Sequence, residues 1–383
     1  MDSLTQIALG AAAGHAARGP KLGRAAALWG AAAGTLPDLD ILAYPFLDPA
    51  GELIHHRGIT HGLAFAFVAG PALGWLVWRL RRWRGSAVPA VPGTLASGET
   101  CRDMGLVFFW ALLTHPPLDA LTVYGTQLLA PFSDRPFAVG SVFIIDPLYT
   151  VPLAAGLVGA LLTRRPARRR TWAGWGLALS TAYLGWGLVA QQTAHRATLR
   201  ALDADGVRPE RVLTAAAPLT TLLWRSEVEV ETDSGTVYLT GLRSLFDEGT
   251  DMAFTATAAR RDLLVPYAGS REAQTLQWFS RGWLRVRPAP PDAAGRGGVV
   301  VSDVRFGRTD GGLSPDEPQT GGAPYLFTWR LTPDGSGGVA LEQLPFEAGL
   351  SGETFGRLWD RALGRTAPPR PRLKRNDRST TSP

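Results

Sequence analysis

One cysteine, Cys101, in 383 residues excludes an intrachain disulfide and any zinc site of the CxxC kind. Cysteine usage therefore gives no support to an extracytoplasmic location, though it does not forbid one. Charge is also sparse: Asp, Glu, Lys and Arg make up 19% of the chain, against a hydrophobic share of 45%. The averages conceal an uneven spread, because ionisable side chains are scarce over the first 200 positions and common afterwards. We expect a membrane half followed by a soluble half, and the length suits two domains. No lysine or arginine precedes the first apolar run, where Asp2 stands instead, so residues 4–17 read as a retained helix and not as a signal peptide. No internal repeat stands out. A net charge of +6 raises the question of nucleic acid. The arginine clusters flank apolar runs, which assigns them to membrane orientation and excludes a nucleic-acid partner.

Apolar runs cover residues 4–17, 25–36, 62–78, 104–121, 142–162 and 172–190. The first two are short for a full span and suit an antiparallel hairpin or a partly inserted pair. A Pro/Gly/Ser-rich loop fills 85–98. Dense arginine clusters follow the runs ending at 78 and 162, and by the positive-inside rule both face the cytoplasm. Alternation then brings Asp38/Asp40, His56/His61, His115/Asp119 and Asp146 to one side of the bilayer, the outer one. Asp2 and Gln6 fall near them, and His15 falls near the opposite face.

Beyond about residue 195 the pattern changes. Residues 227–231 alternate polar and apolar, Asp233-Ser234-Gly235 is a turn signal, and 236–240 reads as the partner strand. Strands are also expected over 298–306 and 325–331, and a short helix over 270–279. The predicted fold is a mainly α membrane bundle of about four to six apolar helices followed by a soluble α+β domain. The expected divisions are a membrane-embedded metal-site domain (1–195), a soluble extracytoplasmic domain (200–364) and a disordered basic tail (365–383).

The stretch from Thr35 to His61 reads TLPDLD, a spacer, then HHRGITH, and a second piece reads THPPLD from Thr114 to Asp119. Carboxylates and imidazoles inside apolar segments are costly unless paired, so they are functional candidates. Asp38 and Asp40 sit two apart after Pro37, where both carboxylates can converge on a cation. His56 and His61 are five apart, with Gly58 allowing a bent backbone between them. His115 and Asp119 share one helical face. Three His and three Asp suit zinc first, with manganese or iron as alternatives, and exceed what one zinc needs. Arg57 can neutralise an anionic substrate. His55 reads as solvated, His15 as a packing residue, and His195 as an interface residue. Asp146 before Pro147 reads as a helix cap, or else as a group supporting the metal ligands.

The motifs PDLD, HRGITH and THPPLD, with MDSLTQ at the start and FIIDPLYT later, resemble the YdjM-type family over about residues 1–200. These are LexA-regulated inner-membrane proteins described as metal-dependent hydrolases. The segments Asp303-Val304-Arg305-Phe306-Gly307 and Tyr325-Leu326-Phe327 resemble the soluble extension of longer members. The resemblance implies metal ligation by Asp38, Asp40, His56, His61, His115 and Asp119, and a kinship with zinc phospholipase C-like helical enzymes. Some members carry a histidine in the first helix near the position of Gln6.

The expected function is therefore a multi-pass inner-membrane hydrolase whose site faces outward. It would act on a phosphoester or lipid-like substrate, with metal-activated water as nucleophile and Asp119 or Asp40 available as general base. Two rivals stand beside it. A metal or ion transporter would use the same residue types, but no matching polar set lies near the inner face. A non-catalytic envelope protein would use the metal only to staple helices, and a full set of protein ligands would mark that case.

Overall fold

In a computed structural model, residues 1–83, 100–249, 251–291, 297–313, 325–334, 337–345 and 352–366 are described. The loop expected over 85–98, and the tail from 367 onward, lie outside them. A helical N-terminal region is followed by an α+β domain with two antiparallel sheets.

The helices pair as antiparallel neighbours. Helix α1 (Ser3–Leu22) turns at Gly23, whose φ of +58° suits glycine, into α2 (Arg24–Thr35). The two cross so closely that a Cβ on Gly30 would meet the Gly10 carbonyl oxygen at 2.3 Å. Small residues therefore set this contact, as in packed membrane helices. The pairs α4 (Leu63–Trp83) with α5 (Cys101–Ala120), and α6 (Pro147–Leu162) with α7 (Pro166–Ala204), repeat the arrangement. Helix α1 is the hub, packed against α2, α5, α6 and α7. It buries Gln6, Leu9, Ala12 and His15.

Among the described residues, α4 alone is long and apolar enough to cross a membrane; α6 is apolar but only 16 residues long. The other expected spans form helices without meeting that test. Helices α1 and α2 are rich in alanine and glycine and spend much of their surface on each other. Helix α5 carries Arg102, Asp103, His115 and Asp119, and α7, 39 residues long in all, runs past its apolar part into the polar segment at Gln191 and His195.

Between α2 and α4 the chain makes a 3-10 turn (Pro37–Phe46), helix α3 (Pro49–His55) and a second 3-10 turn (Ile59–His61). The bend in HRG falls on Arg57, with φ of +56°, and not on Gly58, whose φ is −85°. A Cβ on Gly58 would still lie 2.9 Å from the His55 carbonyl oxygen, so the glycine serves close approach.

The first sheet is a meander of β1 (Arg211–Ala216), β2 (Leu223–Thr232), β3 (Gly235–Ser244) and β4 (Phe254–Ala258). Val228 and Leu239, directly paired, pack on Ala201 and Leu202 of α7. On the opposite face Glu227 meets Arg225 and Glu229 meets Arg211 and Arg261, so both sides of β2 are buried. Helix α8 (Arg271–Ser280) then leads to the second meander, β5 (Leu284–Ala289), β6 (Gly298–Asp303), β7 (Thr328–Pro333) and β8 (Val339–Gln343). The strand expected over 298–306 stops at Asp303, whose carboxylate accepts from Arg305 N (3.0 Å) and caps a 3-10 turn. The strand expected from 325 starts at Thr328. Ala50 and Leu53 of α3 belong to the core of this second sheet, which ties the domain to the Asp/His region. A last amphipathic helix, α9 (Gly352–Ala362), packs on β3.

Candidate metal centre

Four side chains from three separate stretches converge. They are Asp38 on the first 3-10 turn, His61 on the second, and His115 and Asp119 one turn apart on α5. His61 Nε2 lies 3.2 Å from His115 Nε2, 3.5 Å from Asp38 Oδ1 and 3.3 Å from Asp119 Oδ2. His115 Nε2 lies 3.4 Å from Asp38 Oδ1 and 3.3 Å from Asp119 Oδ2. Donors about 2.0–2.1 Å from a tetrahedral zinc are about 3.3–3.4 Å apart. The donor set fits a divalent cation of that size and type.

Protonation supports the fit. His115 Nδ1 lies 2.8 Å from the Gly34 carbonyl oxygen, which only accepts. That contact holds a proton on Nδ1 and leaves Nε2 as the atom the ring offers to a cation in the cluster. Asp119 Oδ2, fully buried beside both imidazoles, has no hydrogen-bond partner among the described residues, and neither has Asp38 Oδ2. Buried unpaired carboxylate oxygens are costly, and a cation satisfies such a set. The other oxygen, Asp119 Oδ1, is well held. It accepts from Gln6 Nε2 (3.0 Å) and the Met1 amino group, with Arg57 Nη2 at 3.6 Å. Burial alone would raise the Asp38 carboxyl, but His115 and His61 beside it hold it well below the usual carboxylate range.

The structure does not bring Asp40 and His56 into this set. On a 3-10 turn, with about three residues per turn, positions two apart point in different directions, so Asp38 and Asp40 diverge. Asp40 Oδ1 is 3.1 Å from His56 Nδ1, its Oδ2 accepts from Arg57 N (2.9 Å), and it stands 3.7 Å from His61 Nδ1. Burial works to raise Asp40, and His56 and the Arg57 amide outweigh it, so its carboxyl stays ionised below its ordinary range. This pair stands one layer out, behind His61. Arg57 is buried; its Nη1 donates to Thr122 Oγ1 (3.1 Å) and its guanidinium lies over the Tyr124 ring at 4.7 Å.

The remaining ionisable candidates fall elsewhere. His55 is exposed, His15 is buried in α1 against Gly19, and His195 Nδ1 pairs with Thr214 Oγ1 at 3.1 Å. Asp2 caps α1. Asp146 caps α6, accepting from Leu148 N (3.1 Å), and takes the Tyr183 hydroxyl on both oxygens (3.0 and 2.9 Å). Burial raises its carboxyl above the usual range.

Thr122 and Tyr124 carry no motif and were not legible as site residues. Tyr124 links the centre to the C-terminal domain: its ring stands edge-on to His56 at 5.2 Å and to Phe279 at 5.1 Å, with Phe306 and Phe327 behind. Arg305, paired with Asp303, donates to the carbonyl oxygens of Val123 (3.4 Å) and Tyr124 (3.3 Å). The α+β domain therefore bears on the outer layer of the centre.

The chain belongs to the YdjM inner membrane protein family, whose profile matches residues 1–194. It is 35% identical over 129 residues to the inner membrane protein YbcI of Escherichia coli (strain K12). That match covers 30% of this chain and 62% of YbcI, so the chain spans less than two thirds of that relative. No solved structure matches the chain.

Proposed function

We propose that the protein is a membrane-bound, metal-dependent hydrolase acting on a phosphoester or lipid-like substrate at the outer face of the inner membrane. The observation that carries this reading is the convergence of Asp38 Oδ1, His61 Nε2, His115 Nε2 and Asp119 Oδ2 within 4.8 Å of one another. A divalent cation there, zinc first and manganese or iron next, supplies Lewis acidity and an acidified water as nucleophile. Asp38 is the ligand nearest solvent, its side chain 19% exposed while the other three are sealed, so the mouth of the site lies beside it. Gln6 and Arg57 hold Asp119, Thr60 Oγ1 meets His61 Nδ1 at 3.1 Å, and Asp40 with His56 backs that ring from 3.7 Å. Arg57 also contributes positive charge for an anionic substrate group.

The helices α1, α2, α5, α6 and α7 are assigned to the bilayer together with α4, since exposed apolar side chains such as Phe67, Val151, Leu179 and Val189 need an apolar surround. The basic end of α4, at Arg79 to Arg82, faces the cytoplasm, which puts the centre and the α+β domain outside.

One observation favours a second reading. Four protein donors already complete a tetrahedral set, as in structural zinc sites, so the metal could serve as a staple without turnover. A panel of phosphodiester and lipid-ester substrates, tried on metal-loaded protein and on His115→Ala, separates the two. The hydrolase reading expects turnover in the loaded protein alone. Stoichiometric metal with no turnover on any substrate would leave the staple.

A further inference from the structure

A cleft of about 510 Å³ lies between the connection that follows α5 and the end of α8, lined by Asp134, Arg135, Phe137, Val139, Trp278 and Arg281. It shares no residue with the metal centre. Trp278 and Arg281 line it while keeping Trp278 Nε1 and Arg281 Nε buried behind its surface, without an acceptor among the described residues. Arg281 also occupies a left-handed position, φ +54°, at the α8 C-cap, where glycine is the usual residue.

The charges around the cleft do not balance. Arg211 is neutralised by Glu229 and Arg305 by Asp303. Arg281 and Arg135 have no carboxylate within ion-pair distance among the described residues. Asp134 is the one carboxylate on the lining. Arg135 lies only over the Phe137 ring, 5.8 Å away. Burial, then the charges of Arg305, Arg211 and Arg135, push the Arg281 guanidinium down to about 10, with Asp303 opposing, so it remains a cation at neutral pH. Leu129 and Phe132, on the same connection, are exposed, Phe132 by 86%, and give the neighbourhood an apolar edge.

We infer that this cleft is an oxyanion site for a phosphate or phosphodiester group, held by Arg281 and Arg135. Guanidinium suits this role because its planar donors match two oxygens of a phosphate at once. A phosphate at this seam would touch both the connection and the α+β domain. The assignment stands whether or not the metal centre is catalytic.

The test uses the full chain in maltoside detergent, with a chelator present so that the metal centre cannot hold the anion. Calorimetric titrations with inorganic phosphate and with short-chain phosphatidylglycerol are run beside the matching diacylglycerol, which lacks phosphate. Saturable binding is expected, weakened about ten-fold or more in Arg281→Gln and in Arg135→Gln. Tighter binding of phosphatidylglycerol than of phosphate would identify a lipid headgroup, and the reverse a free anion; both support the site. Should Arg281→Gln fail to fold, Arg135→Gln on the exposed connection decides alone. Binding of neither phosphate nor phosphatidylglycerol, affinity unchanged in the variants, or equal binding of the diacylglycerol would overturn it.

Discussion

Asp119 shows how single atoms are given separate tasks. Its Oδ1 is occupied by Gln6, the Met1 amino group and Arg57, and its Oδ2 is left to the imidazoles. Gln6→Leu should therefore leave the four donors in place but remove one of the three groups that hold Oδ1, weakening metal binding by about 10–100-fold, the usual effect of losing such support. A chelator competition on the purified variant reads this directly. His56→Ala and Asp40→Ala should fall in the same range, whereas a true ligand loses binding outright. A second prediction concerns Glu229 in the α+β domain. Burial works to raise its carboxyl, but Arg261 and Arg211 outweigh it, so the folded value lies below the unfolded one. Its contribution is then fully present above the unfolded value, about 4.3, and is lost as pH falls through the folded one. Glu229→Gln should lower the melting temperature at pH 7, and the difference from wild type should shrink as the pH is taken below about 4. A gap that stays constant with pH would mean that the ion pairs with Arg211 and Arg261 contribute nothing.

At the scale of elements, the motif spacing made the His115/Asp119 pair legible because an α-helix fixes where i and i+4 point. The divergence of Asp38 and Asp40 was not legible, since it depends on that segment being a 3-10 turn. Nor was the bend at Arg57, because nothing local marks an arginine for a left-handed backbone. The β2–β3 hairpin was readable from alternation and its Asp-Ser-Gly turn, although the strands extend further than the alternation did. The reason is that Arg225 and Arg243 lie in the strands, buried by pairing. Close helix approach is a testable property of the α1–α2 pair. Gly30→Val places carbon against the Gly10 backbone, which cannot rotate away as a side chain would. A destabilisation on the order of 1–3 kcal/mol or more is expected, seen as earlier thermal unfolding in detergent. Since Gly34 supports His115 from the next turn, metal affinity should fall with it.

For the whole molecule, the C-terminal domain is more than an appendage on the helical region. Its second core incorporates α3, and its aromatic cluster reaches His56 through Tyr124. No sequence pattern announced this docking, because Ala50, Leu53 and Tyr124 read as ordinary apolar residues in a loop region. Under the proposed membrane reading, the same contacts put the domain and the candidate centre on one side of the bilayer. Ser234→Cys on the exposed β2–β3 turn, in a Cys101→Ser background, should react with an impermeant maleimide in spheroplasts. Labelling only after permeabilisation would place the domain, and with it the centre, in the cytoplasm.

The central claim is that Asp38, His61, His115 and Asp119 form one metal centre. Metal content of detergent-purified full-length protein tests it most directly, with wild type, His115→Ala, Asp119→Ala and His56→Ala measured in parallel. The account predicts stoichiometric divalent metal in the wild type, none in the His115 and Asp119 variants, and weaker but detectable metal in His56→Ala. A wild type that takes up no metal after reconstitution, or a His115→Ala protein that keeps it, would contradict the account.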